Sequence, residues 1–174
     1  MMYFDYIVVG AGSSGAAVAS RIAETKKYNV LLIEAGGSDY HPWIHIPIGV
    51  GRTLTDPRFV WNFNTEPELG LNGKSIYWPR GKVLGGSSSI NGMLYVIGSS
   101  HKYDEWRDGN NPGWGYEDLL PYFKKIEDRP ESENENRGRG GPIRISSGNY
   151  QDKLSAAFFQ ACIDSGIKPN EDYN

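Results

Sequence analysis

The residues best placed to do chemistry are Gly10, Gly12 and Gly15, in the string Gly10-Ala11-Gly12-Ser13-Ser14-Gly15, and Glu34, 19 positions beyond Gly15. A chain turning sharply from strand to helix needs a glycine at the turn. It needs a second where backbone must touch a pyrophosphate, and a third where helix and strand pack closely. A helix opening near Ser13 offers unpaired N–H groups and the positive end of a dipole, which hold a diphosphate without a basic side chain. Glu34 ends the next apolar run, where its carboxylate can accept from a ribose hydroxyl. An acid there disfavours NADP and allows FAD and NAD alike.

The elements that must position these groups are legible on either side. Tyr6-Ile7-Val8-Val9 reads as a fully buried strand, Ala16, Ala19, Ala23, Val18 and Ile22 as a helix face, and Val30-Leu31-Leu32-Ile33 as a second strand. This is the βαβ start of a parallel sheet, an α/β Rossmann-like fold with irregular extensions. From Ala35 to Asp56, Gly36, Gly37, Pro42, Pro47, Gly49 and Gly51 predict a long irregular excursion. Val60 to Thr65 and Ser75 to Trp78 are short β candidates, the second ended by Pro79.

A second glycine-rich region, Gly81 to Gly98, predicts a helix beginning near Ser87 to Ser89. Leu119, Tyr122, Phe123 and Ile126 mark another helix. Glu127 to Gly141 reads as a mobile surface loop in which Arg137 and Arg139 are solvated beside Glu131, Glu133 and Glu135. Pro142 to Ser146 alternates. Leu154, Ala157, Phe158, Ala161 and Cys162 give an amphipathic helix with Cys162 in its core.

Composition narrows the function classes. Glycine is unusually abundant, 22 of 174 residues, which fits backbone held close to ligands or many tight turns. A net charge of −3 leaves no electrostatic footprint for nucleic acid. One cysteine excludes an intrachain disulfide. No apolar run approaches the ~18 residues of a membrane span, and the first strand begins without a secretory leader, so a cytoplasmic location is expected. Asp104, Glu105 and Asp108 read as a polar helix face, and no metal is expected.

Gly81-Lys82-Val83-Leu84-Gly85-Gly86-Ser87-Ser88-Ser89-Ile90-Asn91, continuing through Gly92-Met93-Leu94-Tyr95 to Gly98, resembles the signature of the glucose-methanol-choline oxidoreductases. Together with the first glycine string, Glu34, Pro79-Arg80-Gly81, Asn111-Pro112-Gly113-Trp114 and Leu120-Pro121-Tyr122-Phe123, the similarity covers nearly the whole chain. It is strongest to the choline and alcohol dehydrogenase branch. The resemblance implies FAD, with Gly10, Gly12, Gly15, Ser13 and Ser14 on the diphosphate and Glu34 on the adenosine ribose. It also places Ala35 and Arg80 in the cofactor set, puts Val83 against the cofactor through its backbone, and lays Gly86 and Ser87 along its ribityl and phosphate region. Asn91, Gly92, Met93 and Leu94 would line the isoalloxazine, where N–H donors at a helix start favour the reduced ring. Some relatives carry a flavin-linked histidine where this chain has Ile90, so non-covalent FAD is expected.

The implied activity is oxidation of an alcohol CH–OH to a carbonyl by hydride transfer to flavin N5, with oxygen or a quinone-like electron acceptor. The family's base is a histidine in a far carboxyl-terminal segment, and His41, His45 and His101 do not match it, so no catalytic residue is expected within these residues. The chain therefore reads as the amino-terminal FAD-binding portion of such an enzyme, running into the start of the substrate-domain region. On its own it is expected to be unstable and to hold FAD weakly. A lyase or decarboxylase on the same scaffold, a non-catalytic FAD-binding fragment and an NAD-dependent dehydrogenase are the competing readings.

Overall fold

The computed structural model describes residues 2–148, 152–170 and 172–174. The chain divides into two units, Met1–Leu94 and Tyr95–Asn174.

In the first unit β1 (Tyr6–Val9) runs parallel to β2 (Val30–Ile33), with Tyr6 opposite Val30 and Val9 opposite Ile33. A parallel pair needs a crossover, and α1 (Ser13–Glu24) supplies it. The βαβ start expected from the sequence is present. Its burial is not as expected, because Ile7 is 61 % and Val9 81 % exposed. Side chains alternate across a strand: Val8 meets the α1 side, while no element among the described residues covers the face of Ile7 and Val9. On α1 only Ala19 is buried, and Val18 and Ala23 are exposed.

The segment after β2 winds through two single-turn helices, α2 (Pro42–His45) and α3 (Val50–Thr53), rather than staying wholly irregular. β3 (Val60–Asn64) and β4 (Tyr77–Gly81) then form an antiparallel hairpin. Pro79 sits inside β4 opposite Asn62 rather than ending it. In a two-stranded sheet each strand has an outer edge, and an edge tolerates the missing N–H of proline. The core of this unit is Phe59, Val60, Val83 and Ile90, with Ile44 and Leu54 packed against it.

The second unit contains α4 (Ser100–Asp108), α5 (Tyr116–Ile126), a two-residue parallel ladder of β5 (Glu127–Asp128) with β6 (Ile143–Arg144), and α6 (Lys153–Asp164). Tyr103 joins α4 to α5 through Tyr116 and Phe123, with ring centroids 6.3 and 5.5 Å away. On α6 Cys162 is only half-buried, and Leu154, Phe158 and Phe159 face outward.

Residues 127–141 lie mostly at the surface, as their composition predicts, but two charged side chains among them do not. Glu127 is fully buried and Arg137 is 4 % exposed. Arg137 Nε lies 2.8 Å from Glu127 Oε1, an ion pair lying outside hydrogen-bond alignment. Arg129 Nη1 bonds Asp172 Oδ2 at 2.8 Å, and Arg137 Nη1 lies 3.7 Å from the other oxygen. The loop folds back through Arg129 N–H to Gly138 O and Gly141 N–H to Glu127 O, which brings charges ten positions apart into one buried cluster. Arg139 does stay at the surface, on Ser132 O.

Candidate functional site

The first glycine loop keeps its glycines for different physical reasons. Gly10 holds φ at +93°, a left-handed turn that a side chain resists. A Cβ on Gly15 would stand 1.9 Å from Gly10 O, so the helix could not close onto the strand. At Gly12, chain neighbours aside, the one atom among the described residues within 4 Å of such a Cβ is Gly86 Cα at 3.9 Å. Packing within this unit therefore leaves Gly12 free to carry a methyl, and a ligand approaching the backbone is the remaining reason for glycine. Gly12 is also the N-cap of α1, and among the described residues no side chain caps the helix. The N–H groups of the first turn face outward with the helix dipole behind them, an arrangement suited to a diphosphate.

Glu34 is fixed by two backbone donors. Ala11 N–H gives to Oε2 at 2.7 Å and Gly36 N–H to Oε1 at 2.9 Å. Each oxygen keeps a further lone pair, so the carboxylate can accept from a diol while staying in place.

The second glycine region docks on the first. Gly85 N–H gives to Ala11 O at 2.9 Å, and a Cβ on Gly86, where φ is +58°, would stand 2.8 Å from Gly12 Cα. Sequence motifs more than seventy positions apart thus share one groove of about 600 Å³. It is lined by Gly10, Gly12, Ser13, Ser14, Gly15, Glu34, Ala35, Arg80, Gly86 and Ser87, together with Val9, Ile33, Trp61 and Gly81. That volume is typical of a ligand site.

Of the other expected contacts, Val83 puts its side chain in the core and its carbonyl on Gly86 N–H. Asn91 and Met93 line a separate cleft of about 230 Å³ with Trp43, Ile44, His45 and Pro47. Gly92 and Leu94 are exposed.

The expected helix at Ser87 to Ser89 does not form. A single 3-10 turn, Gly86–Ser89, stands in its place. Ser88 and Ser89 donate their hydroxyls to Gly85 O and Leu84 O, and Ser87 Oγ accepts from Gly81 N–H. Such side-chain bonds compete with helix continuation. The donors near Asn91 are therefore loop N–H groups and carry no helix dipole.

Trp61 also lines the groove. It is 40 % exposed, stacks near-parallel to Phe63 at 6.3 Å, and has Lys82 Nζ 4.3 Å from its ring centre. Strand alternation puts Trp61 and Phe63 on one face of β3. No histidine lies in the groove. His41 accepts from Trp43 N–H, His45 Nε2 bonds Asp39 O, and His101 pairs with Glu105 on α4. Among the described residues no three His, Cys, Asp or Glu side chains cluster as a metal would need, and no helix is long and apolar enough to cross a membrane.

Residues 4–174 match the family model described as GMC oxidoreductase. The chain is 43 % identical over 173 residues to an oxygen-dependent choline dehydrogenase of Rhizobium etli, covering 99 % of this chain and 32 % of that protein. It is 42 % identical over 174 residues to one of Vibrio vulnificus, covering 99 % and 31 %. Among solved structures, pyridoxine 4-oxidase from Mesorbium loti superposes with a TM-score of 0.85 at 34 % identity, over 93 % of this chain and 32 % of that one. An FAD-dependent oxidoreductase from Chaetomium thermophilum gives 0.82 at 31 %, over 98 % and 31 %. The chain thus spans about a third of the length of the relatives it matches. With its two glycine motifs joined around one groove, it belongs to the GMC oxidoreductase family.

Proposed function

We propose that the chain is the amino-terminal FAD-binding portion of a flavoprotein that oxidises an alcohol CH–OH to a carbonyl. The observation that carries this reading is the convergence of both glycine regions and Glu34 on one groove, with an open backbone at Gly12 and an uncapped helix start behind it. The uncapped N–H groups at Ser13 and Ser14 would hold the diphosphate, Glu34 the ribose, and Gly86 and Ser87 the stretch beyond. Trp61 and Arg80 line the same groove. Bound FAD supplies a two-electron acceptor for hydride at N5. The residues of this chain bind and orient it, and no side chain here is assigned to move the substrate proton.

Attachment is non-covalent in this proposal. Ile90 is aliphatic and 3 % exposed inside the core, so it offers no nucleophile. Residues 1–94 form the cofactor portion and 95–174 open the substrate region, a division that the two compact units support.

The test is made on the full-length protein. FAD should be released by denaturation without proteolysis, and the flavin should bleach anaerobically on adding a small alcohol. Bound flavin that no alcohol bleaches would favour a lyase or decarboxylase, and colourless protein would refute the FAD assignment.

A further inference from the structure

Met93 adopts φ +59°, a left-handed conformation that an unbranched apolar residue avoids unless something holds it. The holding group is Asn91, whose Oδ1 accepts the Met93 N–H at 2.8 Å. The turn is anchored from behind, because Ile90 is buried in the core and gives its N–H to Ser87 O. Beyond this fixed point the chain stands out of the surface. Met93 is 58 % and Leu94 82 % exposed, and neither Gly92 N–H nor Leu94 N–H donates to any described residue.

We infer that Asn91 is a positioning residue, whose side chain sets the Gly92–Met93–Leu94 backbone for the flavin ring rather than touching the ring itself. This rests on the FAD reading above. The Oδ1 acceptor is already engaged within the turn, while the Gly92 and Leu94 N–H groups beside Met93 have no acceptor among the described residues. A carboxylate oxygen at position 91 can accept the same N–H. A glycine at position 93 can adopt the left-handed turn without help.

The experiment uses the full-length flavoprotein and the variants Asn91→Ala, Asn91→Asp and Asn91→Ala with Met93→Gly. FAD affinity, the visible flavin spectrum and the flavin midpoint potential are read beside thermal unfolding. Asn91→Ala should weaken FAD binding about tenfold, the worth of one hydrogen bond, and shift the spectrum and potential. Asn91→Asp should hold affinity within about threefold of wild type, and Met93→Gly should restore the alanine variant to a similar level. Failure of Asn91→Ala to fold, cured by Met93→Gly, supports the inference equally. Wild-type spectrum and affinity in Asn91→Ala, or no recovery in the double variant, overturns it while leaving the FAD reading intact. Wild-type protein without flavin overturns both.

Discussion

Ala11 donates its backbone N–H to Glu34 Oε2 at 2.7 Å, so the first glycine loop is tied to the end of the neighbouring strand by the same carboxylate that faces the groove. Glu34 therefore has two duties, shaping the loop and accepting from the ligand. Glu34→Gln turns one of its two acceptors into a donor against a backbone N–H. Unfolding free energy should fall by about 1–2 kcal/mol and FAD affinity by about tenfold, measured by denaturant titration and by FAD titration of the apoprotein. A loss of affinity with unchanged stability would deny the first duty.

Gly86 meets Gly12 too closely for any side chain. Its ideal Cβ lies 2.8 Å from Gly12 Cα at a φ of +58°. Gly86→Ala should cost about 2 kcal/mol or more of stability, as strain at a positive φ adds to a backbone clash. Thermal unfolding of the full-length apoprotein checks this. An unchanged midpoint would mean that the two glycine regions do not meet as described.

The buried pair in the second unit has an uneven response to mutation. Arg137→Met strands Glu127, which is fully buried, and should destabilise by about 3–5 kcal/mol. Adding Glu127→Leu removes the stranded charge and should recover most of that loss. A double variant no more stable than the single one would show that the pair is not the dominant interaction at this place.

Tyr95 gives this unit a pH dependence at the alkaline end. Burial, then the Glu127 charge, raises its phenol above the ordinary 10.0, against an opposing pull from Arg137. A raised folded value favours the protonated form, so its stability contribution is full below about pH 10 and is lost as pH climbs through the raised value. Tyr95→Phe should flatten stability above about pH 10 while changing it little near neutrality. Denaturant midpoints on either side of that pH decide the point.

The site was more legible in the sequence than its surroundings. Gly10, Gly12, Gly15 and Glu34 obey constraints of two strands, one turn and one helix, all set within a short stretch of chain. The same holds for Val60–Asn64, where alternation alone places a strand. What escaped depends on covering elements, on backbone bonds that fold a loop back, or on side chains that compete with a helix. Ile7 and Val9 have the composition of a buried strand, yet burial requires a covering element that local pattern cannot reveal. Arg137 looked solvated among acidic neighbours, and only the backbone bonds of Gly138 and Gly141 bring it to Glu127. Ser88 and Ser89 bond back to loop carbonyls, a local competition that turned an expected helix into one 3-10 turn.

Gly12→Ala in the full-length protein tests the central claim most directly, because among the described residues a methyl at Gly12 would meet, chain neighbours aside, Gly86 Cα alone, at 3.9 Å. The groove account predicts an unfolding midpoint close to that of wild-type apoprotein and loss of most bound FAD, read from the flavin-to-protein absorbance ratio. Retention of a full complement of FAD by this variant would contradict it.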